Sequence, residues 1–391
     1  MALSHRRPTR RQFLAQTAAA TSLAALPIKN LAQAQPASTQ SPTLKAASSS
    51  RNLLVGCCVH AATLKRDAAY TALVKQQMSI LVAETEFKFG PLRPTPTTFF
   101  FDDADYLVNF AERNGMKMRG HNFVWHRQLP TWFDSYVTPQ NAEQVLVNHI
   151  ETVAGRYKGR IHSWDVVNEA IQVSDGLPGG LRNSPWQKVL PGYIDIAFRT
   201  ARQADPHAIL TYNDYGIEGE DAASSAKRAA VLALVRGMQQ RGIPIDAVGI
   251  QSHISAGPKP DGSHTYGPAL AQFMRDVQSL GLKMMLTEMD VNDRELPADI
   301  PTRDKAVAEV YANYLHTTLA GPDWRPGRIA YSRDRASAVI AVLTWGITDK
   351  YTWLNHEGAR KDGQPERCLP FDADMQPTPA FYAERDALQR S

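Results

Sequence analysis

The chain has 391 residues, of which 43% are hydrophobic and 21% are charged, a composition typical of a globular protein with one large core or two modest ones. Its formal net charge of +4 is misleading, because five of the 43 Lys and Arg residues lie within Met1–Ala34, which contains no acidic residue. The other 38 basic residues are balanced by 39 Asp and Glu residues, so the rest of the chain lacks the excess of positive charge that a nucleic-acid-binding surface needs. We therefore expect no nucleic-acid partner.

The first 34 residues have the pattern of an export signal. A basic stretch precedes the apolar run Ala15–Ile28, and the small-x-small sequence Ala32–Ala34 suits signal cleavage. The segment Thr9–Leu14 (TRRQFL) resembles the twin-arginine signal of bacterial proteins exported in the folded state, and an ordinary secretory signal is the alternative. Both predict a periplasmic or extracellular protein. No later stretch approaches the roughly 20 apolar residues of a membrane span, so we expect no membrane association after signal removal.

The segment 35–50 is poor in large apolar residues, which predicts a flexible linker and a folded domain over 51–391. Eight short β-rich runs recur in that domain. They are Asn52–Val59, Ser79–Glu84, Lys117–Phe123, Ile161–Val167, Ala208–Asp214, Asp246–Ser252, Lys283–Glu288 and Ser337–Trp345. Longer segments with helical spacing separate them, such as Asp103–Gly115, which has an acidic start, an apolar stripe and a final glycine.

Alternation of strand and helix predicts parallel βαβ units. Eight such units over about 340 residues fit a single-domain α/β fold, the (β/α)8 TIM barrel. An open doubly wound sheet is the alternative, but no glycine-rich phosphate-binding turn follows the first strand.

The chain has three cysteines, the neighbours Cys57 and Cys58 and the distant Cys368. An odd number excludes a complete disulfide framework. In an oxidising compartment Cys368 could pair with Cys57 or Cys58, whereas the alternative is that all three are small buried apolar residues. The sequence leaves these alternatives open.

Polar residues are concentrated where the predicted strands end, which in a TIM barrel is the face that carries the active site. Glu169 and Glu288 each end a short apolar run, where a buried carboxylate costs free energy. The other such residues are Glu84, His121, Asn168, Asn213, Asp214, Gln251, His253 and Trp345. Each alone is explained by an ion pair or by core packing, but seven of eight strand ends together indicate a functional site.

A carboxylate pair at such a face predicts sugar hydrolysis, because glycosidases use one Asp or Glu to protonate the leaving oxygen and another to attack or to activate water. A metal site formed by His121, His126 and His253 is an alternative, but no HExxH sequence is present. No GxSxG turn suggests a nucleophilic serine. We expect neither a metal nor a cofactor.

Six segments in chain order match a known family. They are Arg119–Phe133, His162–Ala170, Thr211–Gly216, Val248–Ile254, Leu286–Val291 and Thr344–Leu354. The sequence from about Leu53 to Ala383 resembles glycoside hydrolase family 10, the retaining endo-β-1,4-xylanases. The resemblance implies a TIM barrel that hydrolyses internal bonds of xylan by double displacement, with a polysaccharide or oligosaccharide as its partner. We expect a monomer.

The resemblance also implies roles for individual residues. Glu169 would be the general acid/base and Glu288 the nucleophile, with their carboxyl groups about 5 Å apart as retention requires. His253 would donate a hydrogen bond to Glu288, and Asp290 would orient the imidazole. Contacts with sugar are implied for the remaining residues, which are Glu84, Lys88, His121, Trp125, Gln128, Asn168, Gln251, Trp345 and Trp353.

The segment Glu84–Phe89 (ETEFKF) departs from the family pattern ENEMKW or ENELKW. Thr85 replaces an asparagine and lacks its amide, which predicts weaker binding of the second sugar on the donor side. Phe89 replaces a tryptophan.

Two alternatives to a xylanase remain. The first is the same retaining mechanism on another β-1,4-glycan or on short xylo-oligosaccharides, and the second is a sugar-binding barrel without catalysis. The second is disfavoured because both carboxylates, His253 and Asp290 are present.

Overall fold

Eight parallel strands close into a barrel in the computed structural model, which describes residues 42–258, 266–320 and 338–389. With one short additional strand they are β1 (Leu54–Val59), β2 (Ile80–Ala83), β3 (Lys117–Val124), β4 (Ser163–Asn168), β5 (Ile209–Asp214), β6 (Ala247–Ile250), β7 (His253–Ser255), β8 (Lys283–Asn292) and β9 (Val339–Thr344). Consecutive strands pair from β1 to β6, β6 pairs with β8, and β9 pairs with both β8 and β1. A doubly wound sheet would leave two edges, so the predicted TIM barrel is confirmed.

Helices connect the strands around the barrel. In the described ranges the α-helices are Leu44–Ser48, Ala61–Arg66, Ala68–Gln77, Phe89–Leu92, Asp102–Arg113, Phe133–Tyr136, Ala142–Arg156, Pro185–Val189, Tyr193–Ala204, Ala222–Gln240, Pro268–Ser279, Ile300–Leu319 and Pro379–Gln389. Short 3-10 helices are Ser49–Arg51, Val173–Asp175, Pro178–Gly180, Asp349–Tyr351 and Trp353–Asn355. None of these described helices has both the length and the apolar character to cross a membrane.

The helix predicted over Asp103–Gly115 occupies Asp102–Arg113. Its first turn contains three aspartates, whose negative charges interact favourably with the positive, N-terminal end of the helix dipole. After the helix the chain turns at Gly115, whose φ of 67° costs a glycine little.

The folded region begins before Arg51, so the predicted boundary is wrong there. The helix Leu44–Ser48 is capped by the side chain of Thr43, and Leu44 is fully buried. The backbone N–H of Leu44 donates a hydrogen bond to the side-chain oxygen of Gln77 at 3.0 Å. This short helix is held by partners distant in the sequence, which local composition cannot indicate. The predicted signal 1–34 and residues 35–41 lie outside the described residues.

All three cysteines are buried and free. Cys57 and Cys58 point to opposite faces of β1, so Cys57 packs between barrel and helices while Cys58 packs inside the barrel. Cys368 lies apart from both, with its Sγ 3.3 Å from Thr352 Oγ1. The structure therefore agrees with the alternative in which the three cysteines are small buried apolar residues, and it contains no disulfide among them.

One buried carboxyl group has no hydrogen-bond partner among the described residues. Glu384, in the helix Pro379–Gln389, is fully buried, and neither of its carboxyl oxygens is paired. Burial disfavours its charged form and raises its pKa from 4.5 to about 8. The folded protein therefore binds this proton more tightly than the unfolded chain does, and stability is lost as the pH rises from 4.5 towards 8.

We expect Glu384→Gln, which is neutral at every pH, to remove this contribution to the pH dependence. In the unmodified protein, ionisation of Glu384 in the unfolded chain lowers the free energy of unfolding by up to about 1.4 kcal/mol for each pH unit between pH 4.5 and about 8. Urea unfolding at several pH values measures this slope, with the exposed substitution Glu143→Gln as control. If Glu384→Gln and the control show the same slope, Glu384 does not titrate as described.

Candidate active site

A cleft of about 550 Å³ lies at the carboxyl ends of the strands. Twelve of the thirteen residues predicted for the site line it: Glu84, Lys88, His121, Trp125, Gln128, Asn168, Glu169, Gln251, His253, Glu288, Trp345 and Trp353. The thirteenth, Asp290, lies behind His253, to which it is hydrogen-bonded. The barrel thus brings together residues separated by more than 200 positions in the chain.

Glu288, in the middle of β8, is a buried carboxylate surrounded by hydrogen-bond donors. Its Oε1 accepts from Asn213 Nδ2 at 2.7 Å, and its Oε2 accepts from His253 Nε2 at 3.2 Å. Burial opposes ionisation, but His121, 3.9 Å from Oε1, and then His253 outweigh it and lower the pKa of Glu288 to about 2. Glu288 is therefore ionised at any ordinary pH, as a nucleophile must be.

His253 is held between two carboxylates. In addition to its contact with Glu288, its Nδ1 donates to Asp290 Oδ2 at 3.0 Å. Burial alone lowers the pKa of His253, but Asp290 and then Glu288 outweigh it and raise the pKa well above 6.5. Asp290 Oδ2 also accepts from Trp353 Nε1 at 2.8 Å, so the same carboxylate fixes one aromatic wall of the cleft.

His253→Ala is expected to lower kcat by about 10²-fold while leaving the fold intact, because Glu288 loses the donor that fixes its Oε2 atom. The pKa of Glu288 should rise in this variant, so the acidic limb of the kcat/KM profile should move to higher pH. Kinetics between pH 3 and 8 measure both effects. A change in KM alone would mean that His253 contacts sugar and does not orient Glu288.

Glu169 follows β4 in an uncommon backbone conformation. Its φ of 58° lies in the left-handed region, which residues other than glycine rarely adopt outside functional sites. Its backbone N–H donates to the Asn213 carbonyl at 2.9 Å, and its own carbonyl accepts from Arg182 Nε at 2.7 Å. These two bonds hold the residue in place at the edge of the barrel.

The side chain of Glu169 is buried but less tightly bound than that of Glu288. Oε1 accepts from Gln251 Nε2 at 3.0 Å and from Asn168 Nδ2 at 3.3 Å, whereas Oε2 lies 3.7 Å from His126 Nδ1. Burial and then Arg182 lower the pKa of His126 to about 4, so this imidazole is neutral. One oxygen of Glu169 thus has no strong donor, which suits a group that must gain and lose a proton.

Three neutral amides connect the two carboxylates. Asn213 Nδ2 contacts both Glu288 and Asn168 Oδ1, the latter at 2.9 Å. Gln251 Nε2 contacts Asn168 Oδ1 at 3.2 Å as well as Glu169. The network positions both acids without placing another charged group between them.

Aromatic rings and a buried ammonium group form one wall of the cleft. Lys88 Nζ lies 4.7 Å from the ring centroid of Trp125 and 5.8 Å from that of Trp345. Burial lowers the pKa of Lys88, against the opposing charge of Glu288. Flat apolar faces beside a few polar donors are suited to binding pyranose rings.

The three histidines considered for a metal site do not converge on one point. His121 Nδ1 lies 2.9 Å from Oδ2 of Asp165, and the other carboxylate oxygen of Asp165 accepts a hydrogen bond from Arg119. His253 instead contacts the carboxylates of Glu288 and Asp290. Within 42–258, 266–320 and 338–389, no group of three or more His, Cys, Asp or Glu side chains is arranged to hold a metal ion. That the protein needs no metal or cofactor stays a prediction.

The two departures in Glu84–Phe89 have different surroundings. Thr85 lines the cleft, so it can affect sugar binding directly. Phe89 does not line it; its ring is buried and stacks on His149 with centroids 3.9 Å apart. The tryptophan-to-phenylalanine change therefore concerns core packing.

Three residues that line the cleft were missed in the sequence, namely Arg127, Tyr215 and Glu357. Tyr215 belongs to the recognised segment Thr211–Gly216, which could have indicated it. Asn213 was expected only as a polar residue at a strand end, and its hydrogen bond to Glu288 gives it a place in the site. Arg127 and Glu357 lie in loops whose path the sequence pattern does not define.

Residues 43–387 match the family model described as Glycosyl hydrolase family 10. The chain belongs to glycoside hydrolase family 10. It is therefore a glycoside hydrolase, and the TIM barrel and the cleft described above are those of a family 10 enzyme.

Proteins named as xylanases or as a celloxylanase are similar to this chain over most of its length. It is 36% identical to the thermostable celloxylanase of Thermoclostridium stercorarium over 338 residues, which cover 80% of this chain and 79% of that protein. It is 30% identical to endo-1,4-beta-xylanase B of Paenibacillus barcinonensis, covering 88% of this chain and 98% of that one. It spans only 30% of the length of endo-1,4-beta-xylanase C of the same organism, at 32% identity.

The fold is also similar to solved structures. Xylanase 10B from Thermotoga petrophila RKU-1 in complex with xylobiose superposes with a TM-score of 0.76 at 32% identity, covering 90% of this chain and 98% of that chain. Native xylanase 10B from Thermotoga maritima gives a TM-score of 0.75 at 33% identity, with 89% and 98% of the two chains covered.

Proposed function

We propose that this family 10 enzyme is an endo-1,4-β-xylanase that cleaves internal β-1,4-xylosidic bonds of xylan with retention of anomeric configuration. The observation that carries the proposal is the carboxylate pair Glu169 and Glu288 in one sugar-sized cleft, held by different partners. The names of its relatives and a structural neighbour that contains xylobiose support xylan as substrate. The enzyme acts as a monomer without metal or cofactor.

In the proposed mechanism each of the two acids has its own role. Ionised Glu288 attacks the anomeric carbon and forms a glycosyl ester, while Glu169 donates its proton to the departing glycosidic oxygen. The negative charge of Glu288 disappears when the ester forms, so Glu169 then binds a proton less tightly. In the second step Glu169 removes a proton from water, and the hydroxide oxygen displaces Glu288 and restores the original configuration.

Supporting residues keep these groups in position. His253 holds Glu288 Oε2, and Asp290 fixes the imidazole. Asn168, in contact with Glu169, is the group we assign to the 2-hydroxyl of the sugar at the breaking bond, a contact that strengthens in the transition state. Trp345 and Trp353 provide stacking faces.

Substrate choice is tested by incubating residues 35–391 with xylan, cellulose and aryl xylosides, and by analysing the products by length. We expect rapid release of xylo-oligosaccharides and little action on cellulose, with no loss after treatment with a metal chelator. Cellulose is a specific rival because one relative is named a celloxylanase. Faster release of soluble products from cellulose, or action only on short xylo-oligosaccharides, would favour the corresponding alternative substrate.

We also propose that the enzyme is exported by the twin-arginine route, which the sequence TRRQFL near the N-terminus supports. The double substitution Arg10→Lys and Arg11→Lys should leave uncleaved precursor in the cytoplasm, because the pair is read by a receptor and not by its charge alone. The matched control is Arg6→Lys with Arg7→Lys, a second arginine pair in the same leader. Immunoblots of cell fractions measure export. Undiminished export of the first variant would indicate the general secretory route.

A further inference from the structure

A histidine that was not predicted from the sequence lies beside Glu84, at the edge of the cleft. His60 directly follows β1, and β1 pairs with β2 so that Val59 lies opposite Ala83. This pairing places the imidazole beside the segment that follows β2. His60 Nε2 lies 3.3 Å from Glu84 Oε2, and His60 Nδ1 lies 3.3 Å from Glu86 Oε1.

Glu86 anchors this arrangement to the backbone. Its Oε1 accepts from the backbone N–H of Ala61 at 2.6 Å, and its Oε2 accepts from that of Thr85 at 3.2 Å. Burial raises the pKa of Glu86, but the hydrogen bonds from His60 and from the backbone of Ala61 together outweigh it, and the pKa lies below its ordinary value. His60 is therefore held on one side by a fixed carboxylate.

Glu84 is the partner of His60 that reaches the cleft. It lines the cleft, its side chain is 21% exposed, and its protein contacts among the described residues go to one oxygen, Oε2. The second oxygen is left for a ligand. A carboxylate fixed through one oxygen presents the other in a defined direction, which is what recognition of a sugar hydroxyl requires.

The imidazole of His60 is charged at neutral pH. Hydrogen bonds to Glu84 and then Glu86 raise the pKa of His60 to about 10, against the opposing effect of burial. Because the side chain is 37% exposed, core packing does not explain its position. Thr85 completes the group, with its Oγ1 3.4 Å from His60 Nδ1.

We propose that His60 is a positioning residue for the second donor-side sugar, which it serves by clamping Glu84 between β1 and the cleft. The inference rests on the proposed function and on the sugar contact that the resemblance to family 10 implies for Glu84. Glu84, held in position by His60, would then bind the sugar that the asparagine of the family pattern contacts. Thr85 stands in place of that asparagine and has no amide.

The test compares aryl xylobiosides, which fill the second donor-side position, with aryl xylosides, which leave it empty. His60→Leu should lower kcat/KM for the xylobioside about tenfold and for the xyloside less than about twofold. His60→Gln, which can donate to Glu84 without a charge, should recover part of the loss. The control His207→Leu changes an exposed histidine in the loop before β5 and should change neither value.

A double-mutant cycle shows whether His60 acts through Glu84. In a Glu84→Gln background, His60→Leu should have almost no further effect on the xylobioside. Equal losses on both substrates, or additive losses in the cycle, would overturn the inference while leaving the proposed function intact. Absence of turnover of both xylosides by the unmodified enzyme would overturn the proposed function and the inference together.

Discussion

Glu288→Ala should abolish turnover on xylan and on aryl xylosides alike, with kcat reduced by roughly 10⁴-fold or more. No glycosyl ester can form without this carboxylate, and a good leaving group cannot compensate for a missing nucleophile. The measurement is the initial rate on both substrates, at enzyme concentrations high enough to detect the residual rate.

Two comparisons make this result interpretable. Glu143→Ala, in the exposed face of the helix Ala142–Arg156, should retain full activity, and the melting temperature of Glu288→Ala should show that it is folded. A folded Glu288→Ala enzyme that keeps more than a few per cent of its activity would contradict the assignment of Glu288 as nucleophile.

Glu169→Ala should separate the two chemical steps. Aryl glycosides with good leaving groups need no protonation, so the first step should continue, whereas the second step should slow because no base activates water. The glycosyl-enzyme should accumulate and appear as a burst of phenol followed by a slow steady state. On xylan, whose leaving group needs the proton, turnover should fall by about 10²–10⁴-fold.

Added azide distinguishes this explanation from simple misfolding. Azide needs no general base, so it should restore turnover of the aryl glycoside by Glu169→Ala and yield the β-glycosyl azide. It should not accelerate the unmodified enzyme in this way. Formation of the α-azide would mean that azide attacked the substrate directly, and the two carboxylates would then have exchanged or different roles.

The barrel could be predicted from the sequence because its signals are local. Each strand is a short apolar run between polar segments, and each predicted run overlaps a strand of the structure, with bounds that differ by a few residues. β8 extends to Asn292, beyond the predicted Glu288, because it gains β7 as a partner at His253–Ser255. That pairing depends on the position of a distant segment and leaves no trace in the local sequence.

The residues of the site that lie at strand ends or in the recognised segments could be predicted from the sequence. Glu169, Glu288 and His253 follow from these signals, and the structure places them in one cleft. His60 could not be found in this way, because its partners Glu84 and Glu86 are more than 20 residues away and meet it only through the pairing of β1 with β2. A lone histidine after a strand has no distinguishing feature until its neighbours in space are known.

The most direct test of the double displacement is to identify the residue that becomes covalently attached to the sugar. An aryl 2-fluoro-xylobioside with a good leaving group forms the ester quickly and hydrolyses slowly, because fluorine at C2 destabilises the oxocarbenium-like transition states. We predict a single adduct by mass spectrometry of the intact enzyme, and after proteolysis the label should be on Glu288. A label on another residue, or an enzyme that turns the compound over without any adduct, would contradict a retaining mechanism with Glu288 as nucleophile.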